Sequence, residues 1–332
     1  MENSKYIVTV DLDLPPLKSG VQPDFTFKQF SNPSNTFKMA VSSLQRIWKL
    51  LTWARHSELM VLDSTSGPFQ PDLLACILMR FRKKRPLVIL TGDMWNKGGT
   101  IKYYLQKMIV HMADAVICRY VVQSKGEQNV FSEVWGVDPN KVRLCLYSVT
   151  FTDEEITAGE ISTRGYIFAG GNPNRDYDLL LKTAHSLPDR QFIIATRRLD
   201  GRRDIPSNVK IVKVPHHEFV RLMREADAVI TPIQRGLTRA AGQQTYLNAM
   251  RMGKISIVNG PGIFGVTDYI ENHVNGIITD GTPQGFAKAI EWIYDPRTRI
   301  KWRKSKRMPA SARWNSPMIV TSMEWHRSLK KQ

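Results

Sequence analysis

The chain has 332 residues, of which 42% are apolar, and its 47 lysines and arginines outnumber its 30 aspartates and glutamates to give a net charge of +17. This length exceeds one ordinary hydrophobic core and predicts two domains. Cys76, Cys118 and Cys145 lack metal-ligand spacing, and no apolar run approaches the ~18 residues of a membrane span, which argues against a disulfide scaffold, a zinc site and a transmembrane helix. The first residues turn acidic too early for a signal peptide, so we expect a cytoplasmic protein that is soluble or peripheral on the inner face of a membrane.

Short apolar runs alternate with amphipathic stretches in the first half of the chain. The apolar runs predict strands at residues 6–10, 59–62, 87–90, 115–118 and 142–146. The helical spacing of apolar residues predicts helices at residues 37–53, 71–82 and 101–112. Residues 151–163 are polar and acidic, and they predict a linker.

The same alternation begins again after this linker. Apolar runs predict strands at residues 165–169, 191–195, 209–212, 228–231 and 255–258. Helical spacing predicts helices at residues 177–186 and 217–225. Alternation of this kind is typical of parallel sheets covered by helices, so the sequence predicts an α/β fold with two Rossmann-like domains facing across a cleft. These domains would span residues 1–150 and 164–295, followed by a basic helical segment at 296–332.

A further helix opens on a loop of small polar residues at Gly242 and ends at Gly253, before the strand at residues 255–258. A helix that begins on such a loop presents backbone N–H groups and the positive end of its dipole. Active sites of open parallel sheets lie at the carboxyl ends of the strands. The sequence therefore predicts that a nucleotide diphosphate binds at the start of this helix, in the cleft between the domains.

Two segments, residues 80–85 and 297–307, concentrate the positive charge, and each contains an aromatic residue, Phe81 or Trp302. Such segments attract nucleic acid, an anionic lipid surface or a phosphorylated substrate. An aromatic ring among cations inserts into a lipid interface or stacks on a base. The alternative is a solvated face with no partner. The candidate polyanion-binding residues are Arg80, Arg82, Lys83, Lys84, Arg85, Lys301, Arg303 and Lys304.

Residues 166–290 carry an ordered series of short motifs: FAGGN at 168–172, RDYDLL at 175–180, NVKI at 208–211, EADAVITP at 225–232, LNAM at 247–250, GK at 253–254, YIEN at 269–272 and NG at 275–276. In this order and spacing the segment resembles the C-terminal, donor-binding domain of retaining glycosyltransferases with the GT-B fold, family four of the sequence-based classification. A fainter resemblance covers residues 90–95, 113–117 and 141–143 of the N-terminal half, which contacts the acceptor in that family.

The resemblance implies transfer of a sugar from a nucleotide diphosphate donor to an acceptor hydroxyl, with retention, without a metal and without a cofactor besides the donor. Cations and helix-end amides neutralise the leaving diphosphate in such chemistry. The donor-binding residues that it implies are Gly170, Gly171, Asn172, Arg175, Arg197, Pro215, His216, Gly242, Gln243, Gln244, Thr245 and Asn248.

Several of these residues have a second interpretation. Arg175 either contacts the diphosphate or is a surface arginine that caps the helix beginning near Asp176. Residues 170–172 either let the backbone approach the phosphates or form a simple tight turn. Arg197 points to the donor or to solvent. Pro215 and His216 fall where the nucleobase rests in the family, although a surface loop fits His216 equally well.

The sequence departs from the family at two carboxylates, because the first usual glutamate falls at Ala240 and the second at Asn248. Asn248 would then hydrogen-bond a ribose hydroxyl, and Gln243, Gln244 or Thr245 would hold sugar hydroxyls or phosphate. In the N-terminal half, the usual histidine is replaced by Gly92.

On the acceptor side, the resemblance leaves Asp93 and Trp95 as candidate catalytic residues. Asp93 would orient an acceptor hydroxyl or cap its loop, and Trp95 would form a sugar platform or belong to the core.

The sequence thus favours a retaining glycosyltransferase acting on a lipid-linked or polysaccharide-precursor acceptor at a membrane surface. One alternative is a glycosyltransferase that modifies bases of DNA, because the positive charge would also serve phosphate backbones. Another alternative, from a different class, is a non-catalytic protein that binds nucleotide sugars or polyanions. The sequence leaves the oligomeric state open.

Overall fold

The computed structural model describes residues 6–10, 25–27, 36–63, 70–92, 94–147, 149–157 and 163–297. The chain divides into two compact units, with the boundary between Leu146 and Tyr147. Each unit contains one six-stranded sheet in which every pair of neighbouring strands is parallel. The predicted α/β fold with two Rossmann-like units is therefore confirmed.

The first unit has a sheet with the order β2-β1-β3-β4-β5-β6. Its strands are β1 Tyr6–Val10, β2 Phe25–Phe27, β3 Ser57–Asp63, β4 Leu87–Thr91, β5 Ile117–Val122 and β6 Val142–Leu144. Its helices are α1 Thr36–Trp53, α2 Pro71–Met79, α3 Thr100–Ala113 and α4 Lys125–Trp135. A short 3-10 turn, Pro139–Lys141, precedes β6.

The second unit has a sheet with the order β12-β11-β10-β7-β8-β9. Its strands are β7 Tyr166–Gly170, β8 Gln191–Ala195, β9 Val209–Val212, β10 Ala228–Thr231, β11 Ile255–Asn259 and β12 Ile277–Thr279. Its helices are α5 Asp153–Thr157, α6 Tyr177–His185, α7 His216–Glu225, α8 Gln243–Arg251 and α9 Pro283–Tyr294. Strands β7, β10 and β11 are buried along their whole length, as expected for a parallel sheet covered on both faces.

Some predicted boundaries in the first unit are wrong. Helix α2 ends at Met79 instead of residue 82, and Pro86 then disfavours a helical conformation at Arg85, directly before β4. Strand β5 covers Ile117–Val122 instead of 115–118, since residues 114–116 form a turn whose Asp114 carboxylate accepts a hydrogen bond from Tyr120 at 2.8 Å.

Strands β2 and β12 and helices α4, α5 and α9 were not predicted. The sequence carries helix signals for α4 and α9. Ser124 caps α4 by accepting a hydrogen bond from the Glu127 backbone N–H at 3.1 Å, and Thr282 caps α9 in the same way from Gly285 at 3.0 Å. Helix α5 lies inside the segment 151–163 that was predicted as a linker. Within the described ranges, no helix is long and apolar enough to cross a membrane.

Candidate functional site

The candidate site lies in the second unit, where the strand order changes direction between β7 and β10. These neighbouring strands end at Gly170 and Thr231, and ligands of open α/β sheets bind outside the carboxyl ends of strands at such a switch point. After β7 the chain reaches Arg175, whose backbone forms an isolated antiparallel bridge with Ile233, just after β10. This bridge brings the segments that follow both strands together.

Arg175 is only 6% exposed, so the alternative interpretation, a surface arginine, is wrong. Its Nη2 donates to the Thr245 hydroxyl at 2.9 Å, Nε to the Gly170 carbonyl at 3.3 Å and Nη1 to the Pro173 carbonyl at 3.1 Å. The cap of α6 is Asp176, which accepts from the backbone of that helix. Since a guanidinium stays charged at physiological pH, a fixed positive charge lies beside the first turn of α8.

Helix α8 begins without a side-chain cap. Its N-cap residue, Gly242, has a φ of 78°, in the left-handed region that glycine adopts without steric cost. A methyl group on Gly242 would come within 2.9 Å of both Thr231 Cγ2 and Ile233 Cδ1. The helix therefore starts in close contact with the end of β10, and its first turn, which contains Thr245, combines the positive end of the dipole with the Arg175 charge.

The loop after β7 is held by side chains. Tyr177 donates a short hydrogen bond to the Gly171 carbonyl, and burial raises the pKa of Tyr177, so its hydroxyl stays a neutral donor. Asn172 Oδ1 accepts from the Thr196 hydroxyl and from the Arg197 backbone N–H, both at 3.0 Å. The Arg197 side chain is exposed. These bonds join the loop after β7 to the residues that follow β8.

Asn248 is fully buried. Its Oδ1 accepts from the backbone N–H groups of Thr150 at 2.9 Å and Phe151 at 3.2 Å, and its Nδ2 donates to the Thr150 hydroxyl at 2.8 Å. Both ends of the amide are engaged, so Asn248 holds residues 150–151 against α8 and has no exposed group for a ribose, contrary to the prediction. Gln244, which is exposed, donates to the same Thr150 hydroxyl at 3.1 Å.

The remaining donor candidates occupy two other places. Gln243 is buried, and its Nε2 packs against the Cα of Gly265, where a methyl group would come within 2.9 Å. Pro215 is the N-cap residue of α7, and His216 is the first residue of that helix. His216 is exposed, and its Nε2 lies 2.6 Å from Glu155 Oε1. These contacts do not join Pro215 and His216 to Arg175.

Sequence analysis missed the residues that fix this geometry. Asn259, the last residue of β11, is buried, and its amide exchanges two hydrogen bonds of 2.7 Å with the backbone of Ile233. The signal available in the sequence was a polar residue directly after the apolar run at 255–258. Gly170 has a packing role that was also missed, because a methyl group there would come within 2.4 Å of the Phe219 ring.

One long segment of the site carries no acidic side chain. Residues 228–267, which include β10, α8 and β11, contain no aspartate or glutamate. The resemblance leads one to expect glutamate at positions 240 and 248. The residues found there, Ala240 and Asn248, are both buried. Over the part of the chain that the structure describes, no group of three histidine, cysteine, aspartate or glutamate side chains could hold a metal ion.

The candidates of the first unit are placed differently. Trp95 is buried in the core, with its ring centroid 5.4 Å from that of Trp135 and 6.3 Å from that of Phe131, so a sugar platform at Trp95 is a wrong prediction. Asp93 lies outside the described residues. Arg82 donates to the Leu51 carbonyl, whereas the neighbouring cations Arg80, Lys83, Lys84 and Arg85 are exposed. Also outside the described residues are Lys301, Arg303 and Lys304.

No protein-family model matches the sequence, and a comparison with curated proteins finds no match. Several solved structures are similar to this chain in fold. A glycosyltransferase from Rickettsia africae ESF-5 has a TM-score of 0.62 at 12% identity, over 99% of this chain and 100% of that chain. HepE (Alr3699) of Anabaena, in complex with UDP-glucose, has a TM-score of 0.63 at 14% identity, over 98% and 99% of the two chains.

A UDP-N-acetylglucosamine 2-epimerase has a TM-score of 0.52 at 10% identity, over 94% of this chain and 83% of that chain. These similarities show that the chain has the GT-B fold, which the sequence resemblance implied. The fold is thus shared with a glycosyltransferase, with a UDP-glucose-binding protein and with an epimerase of a nucleotide sugar.

Proposed function

We propose that this protein is a glycosyltransferase that binds a nucleotide diphosphate sugar at the carboxyl edge of its second sheet. The observation that carries the proposal is the contact between Arg175 and Thr245, which places a buried guanidinium against the uncapped first turn of α8. Both features favour the same ligand chemistry, because a helix N-terminus and an arginine each bind phosphate oxygens.

The diphosphate would lie between the loop of residues 170–175 and residues 242–245. As the bond between the anomeric carbon and the diphosphate breaks, negative charge develops on the leaving phosphate oxygen. Arg175 and the N–H groups at the start of α8 would stabilise that charge without a metal ion. Gly171, with a φ of 107°, lets the backbone approach the phosphates without a Cβ in the way.

We propose retention at the anomeric carbon. The acceptor oxygen would attack from the face that the diphosphate leaves, and the proton of the acceptor hydroxyl would pass to a leaving phosphate oxygen. This arrangement suits a helix segment without carboxylates, since residues 228–267 offer none. Gln244 and Arg197 are the exposed candidates for contacts with the donor, and His216 remains the candidate for the nucleobase.

For the acceptor, we propose a lipid-linked or polysaccharide-precursor hydroxyl. The exposed cations Arg80, Lys83, Lys84 and Arg85 would hold the protein at an anionic membrane. DNA is the alternative acceptor, because the same cations suit a phosphate backbone.

A screen of nucleotide diphosphate sugars by thermal shift tests donor binding, because a ligand at a hundred times its dissociation constant stabilises the folded state by about 2.7 kcal/mol. Each donor that binds is then incubated with a lipid-linked acceptor, with and without a chelator of divalent metals, and proton NMR follows the glycoside. We expect a product with the anomeric configuration of the donor in both incubations. An inverted product, strict dependence on metal, or conversion of the free donor to an epimer would contradict the proposal.

A further inference from the structure

The first unit exposes apolar side chains in stripes along two helices. In α1, Leu44 is 66% and Trp48 is 68% exposed, while Arg46 and Leu50 on the opposite side are buried. Residues spaced by four lie on one face of a helix. An ordinary surface helix directs its apolar residues to the core, so α1 carries a second apolar face directed to solvent.

Helix α3 repeats this arrangement. Ile101 is 78% exposed, and Leu105 and Met108 are each 53% exposed, at spacings of four and three residues. Its buried residues, Gln106 and Val110, lie on another face. Isolated exposed apolar residues need no explanation, but two helical stripes in one unit mark a surface that binds something apolar.

Helix α2 packs against both α1 and α3, and hydrogen bonds fix the three helices together. The buried ion pair of Arg46 with Asp72 joins α1 to α2, with contacts of 2.6 and 2.9 Å. Gln70, before α2, donates to Gln106 of α3. Arg82, in the cationic segment 80–85 after α2, donates to a carbonyl near the end of α1. The stripes and the cationic segment therefore belong to one rigid layer of the first unit.

The charge of this layer has a single sign at its surface. The sequence of α1, that of segment 80–85 and that of α3 contain lysines and arginines but no aspartate or glutamate. In segment 80–85 the aromatic ring of Phe81 is 78% exposed among these cations. A second copy of this surface would bring like charges together, which costs free energy. An anionic lipid surface offers negative headgroups to the cations and an acyl boundary to the apolar side chains.

From these observations we infer that α1, segment 80–85 and α3 dock the first unit on an anionic lipid bilayer. The bilayer-docking face is defined by Leu44, Trp48, Phe81, Ile101, Leu105 and Met108, with the cations of segment 80–85 beside them. This inference deepens the proposed function on the acceptor side. Its test uses nucleotide-free protein, so its failure would leave donor binding and glycosyl transfer untouched.

The test is co-sedimentation of the full chain with phosphatidylcholine vesicles that contain increasing fractions of phosphatidylglycerol. We expect binding to rise with the anionic fraction. Lys83→Glu with Lys84→Glu should weaken it at least roughly tenfold, because each cation near an anionic leaflet contributes up to ~1 kcal/mol. The control is Lys182→Glu with Lys210→Glu, an equal charge change at exposed positions of the second unit, which should keep the binding.

Trp48→Ser and Leu105→Ser test the apolar contribution, and each should weaken binding roughly tenfold, since burying a large apolar side chain contributes about 1.5–3 kcal/mol. These side chains are exposed, so the melting temperature should not fall and will verify that each variant is folded. Part of the wild-type binding should also persist in high salt. The inference would be overturned by binding that does not depend on the phosphatidylglycerol fraction, or by an equal loss of vesicle binding in the control variant. Displacement from the vesicles by duplex DNA, or a dimer in solution that Trp48→Ser dissociates, would overturn it as well.

Discussion

The guanidinium of Arg175 donates a 2.9 Å hydrogen bond to the hydroxyl of Thr245. This bond joins the loop after β7 to the first turn of α8, across the point where the strand order of the second sheet reverses. Because the guanidinium is already oriented, it requires little reorganisation when negative charge arrives or develops beside it.

Thr245→Val should weaken binding of a nucleoside diphosphate by roughly 2- to 10-fold, the equivalent of one hydrogen bond of about 0.5–1.5 kcal/mol, and leave nucleoside binding unchanged. The substitution keeps the shape of the side chain but removes the acceptor for Arg175. Isothermal titration calorimetry measures both affinities. Thr183→Val is the control, because Thr183 is also buried and its hydroxyl donates to Leu179 within α6. Equal effects of the two variants would disconnect Thr245 from the site.

Gly242→Ala should lower the free energy of unfolding more than Gly236→Ala. Both glycines have a positive φ, 78° and 76°, so each alanine costs about 1–2 kcal/mol of backbone strain. Only the methyl group at Gly242 would meet other atoms, at 2.9 Å, whereas nothing lies within 4 Å at Gly236. Overpacking adds about 1–3 kcal/mol to the Gly242 variant, which urea unfolding would detect. Equal destabilisation would show that the α8 start can shift without cost.

Much of the second unit could be predicted from local pattern. Apolar runs located its central strands, and glycines at positions 242 and 253 bracket α8, which the structure places at Gln243–Arg251. What local pattern could not give is the partner of a side chain. Asn248 accepts hydrogen bonds from Thr150 and Phe151, which lie nearly a hundred positions earlier in the chain. The sequence alone gives no sign of these partners, so a ribose was the predicted partner of its amide.

Trp95 shows the same limit in the first unit. Its neighbours Phe131 and Trp135 belong to α4, a helix that the sequence analysis did not predict. Without that helix, a tryptophan after a strand end could equally be a binding platform. Gly126 in the first turn of α4 lowers its helix propensity, although Ser124 supplies a cap.

Asn248→Ala should lower the free energy of unfolding by about 1–3 kcal/mol, because it leaves the part-buried N–H group of Thr150 and the buried N–H group of Phe151 without their acceptor. The neighbouring Gln244→Ala is the control. Gln244 is exposed and contributes one bond to the same threonine, so its loss should change stability by less than about 0.5 kcal/mol. Urea unfolding of both variants makes the comparison. An unchanged free energy of unfolding in Asn248→Ala would show that residues 150–151 do not depend on this amide.

Asp72→Ala should destabilise the first unit by about 3–5 kcal/mol, since it leaves Arg46 charged, buried and without its bidentate partner. The double variant Arg46→Met with Asp72→Leu should regain much of that loss, because it removes both charges and fills the volume. Asp204→Ala breaks an exposed pair with Arg202 and should cost far less than Asp72→Ala, because water screens the two charges. Urea unfolding separates these cases, and equal losses for the buried and exposed pairs would contradict the burial argument.

The most direct measurement of the central claim is the affinity of Arg175→Ala for a nucleoside diphosphate and for the matching nucleoside, taken from the donor that the thermal-shift screen identifies. Arg190→Ala serves as the control, because Arg190 pairs with Glu291 of α9. We predict that Arg175→Ala weakens diphosphate binding by about 10- to 100-fold, the equivalent of about 1.5–3 kcal/mol for hydrogen bonds to a charged group, while nucleoside binding and the Arg190 variant stay near wild type. Equal, small effects on diphosphate and nucleoside would contradict the claim and remove Arg175 from the site.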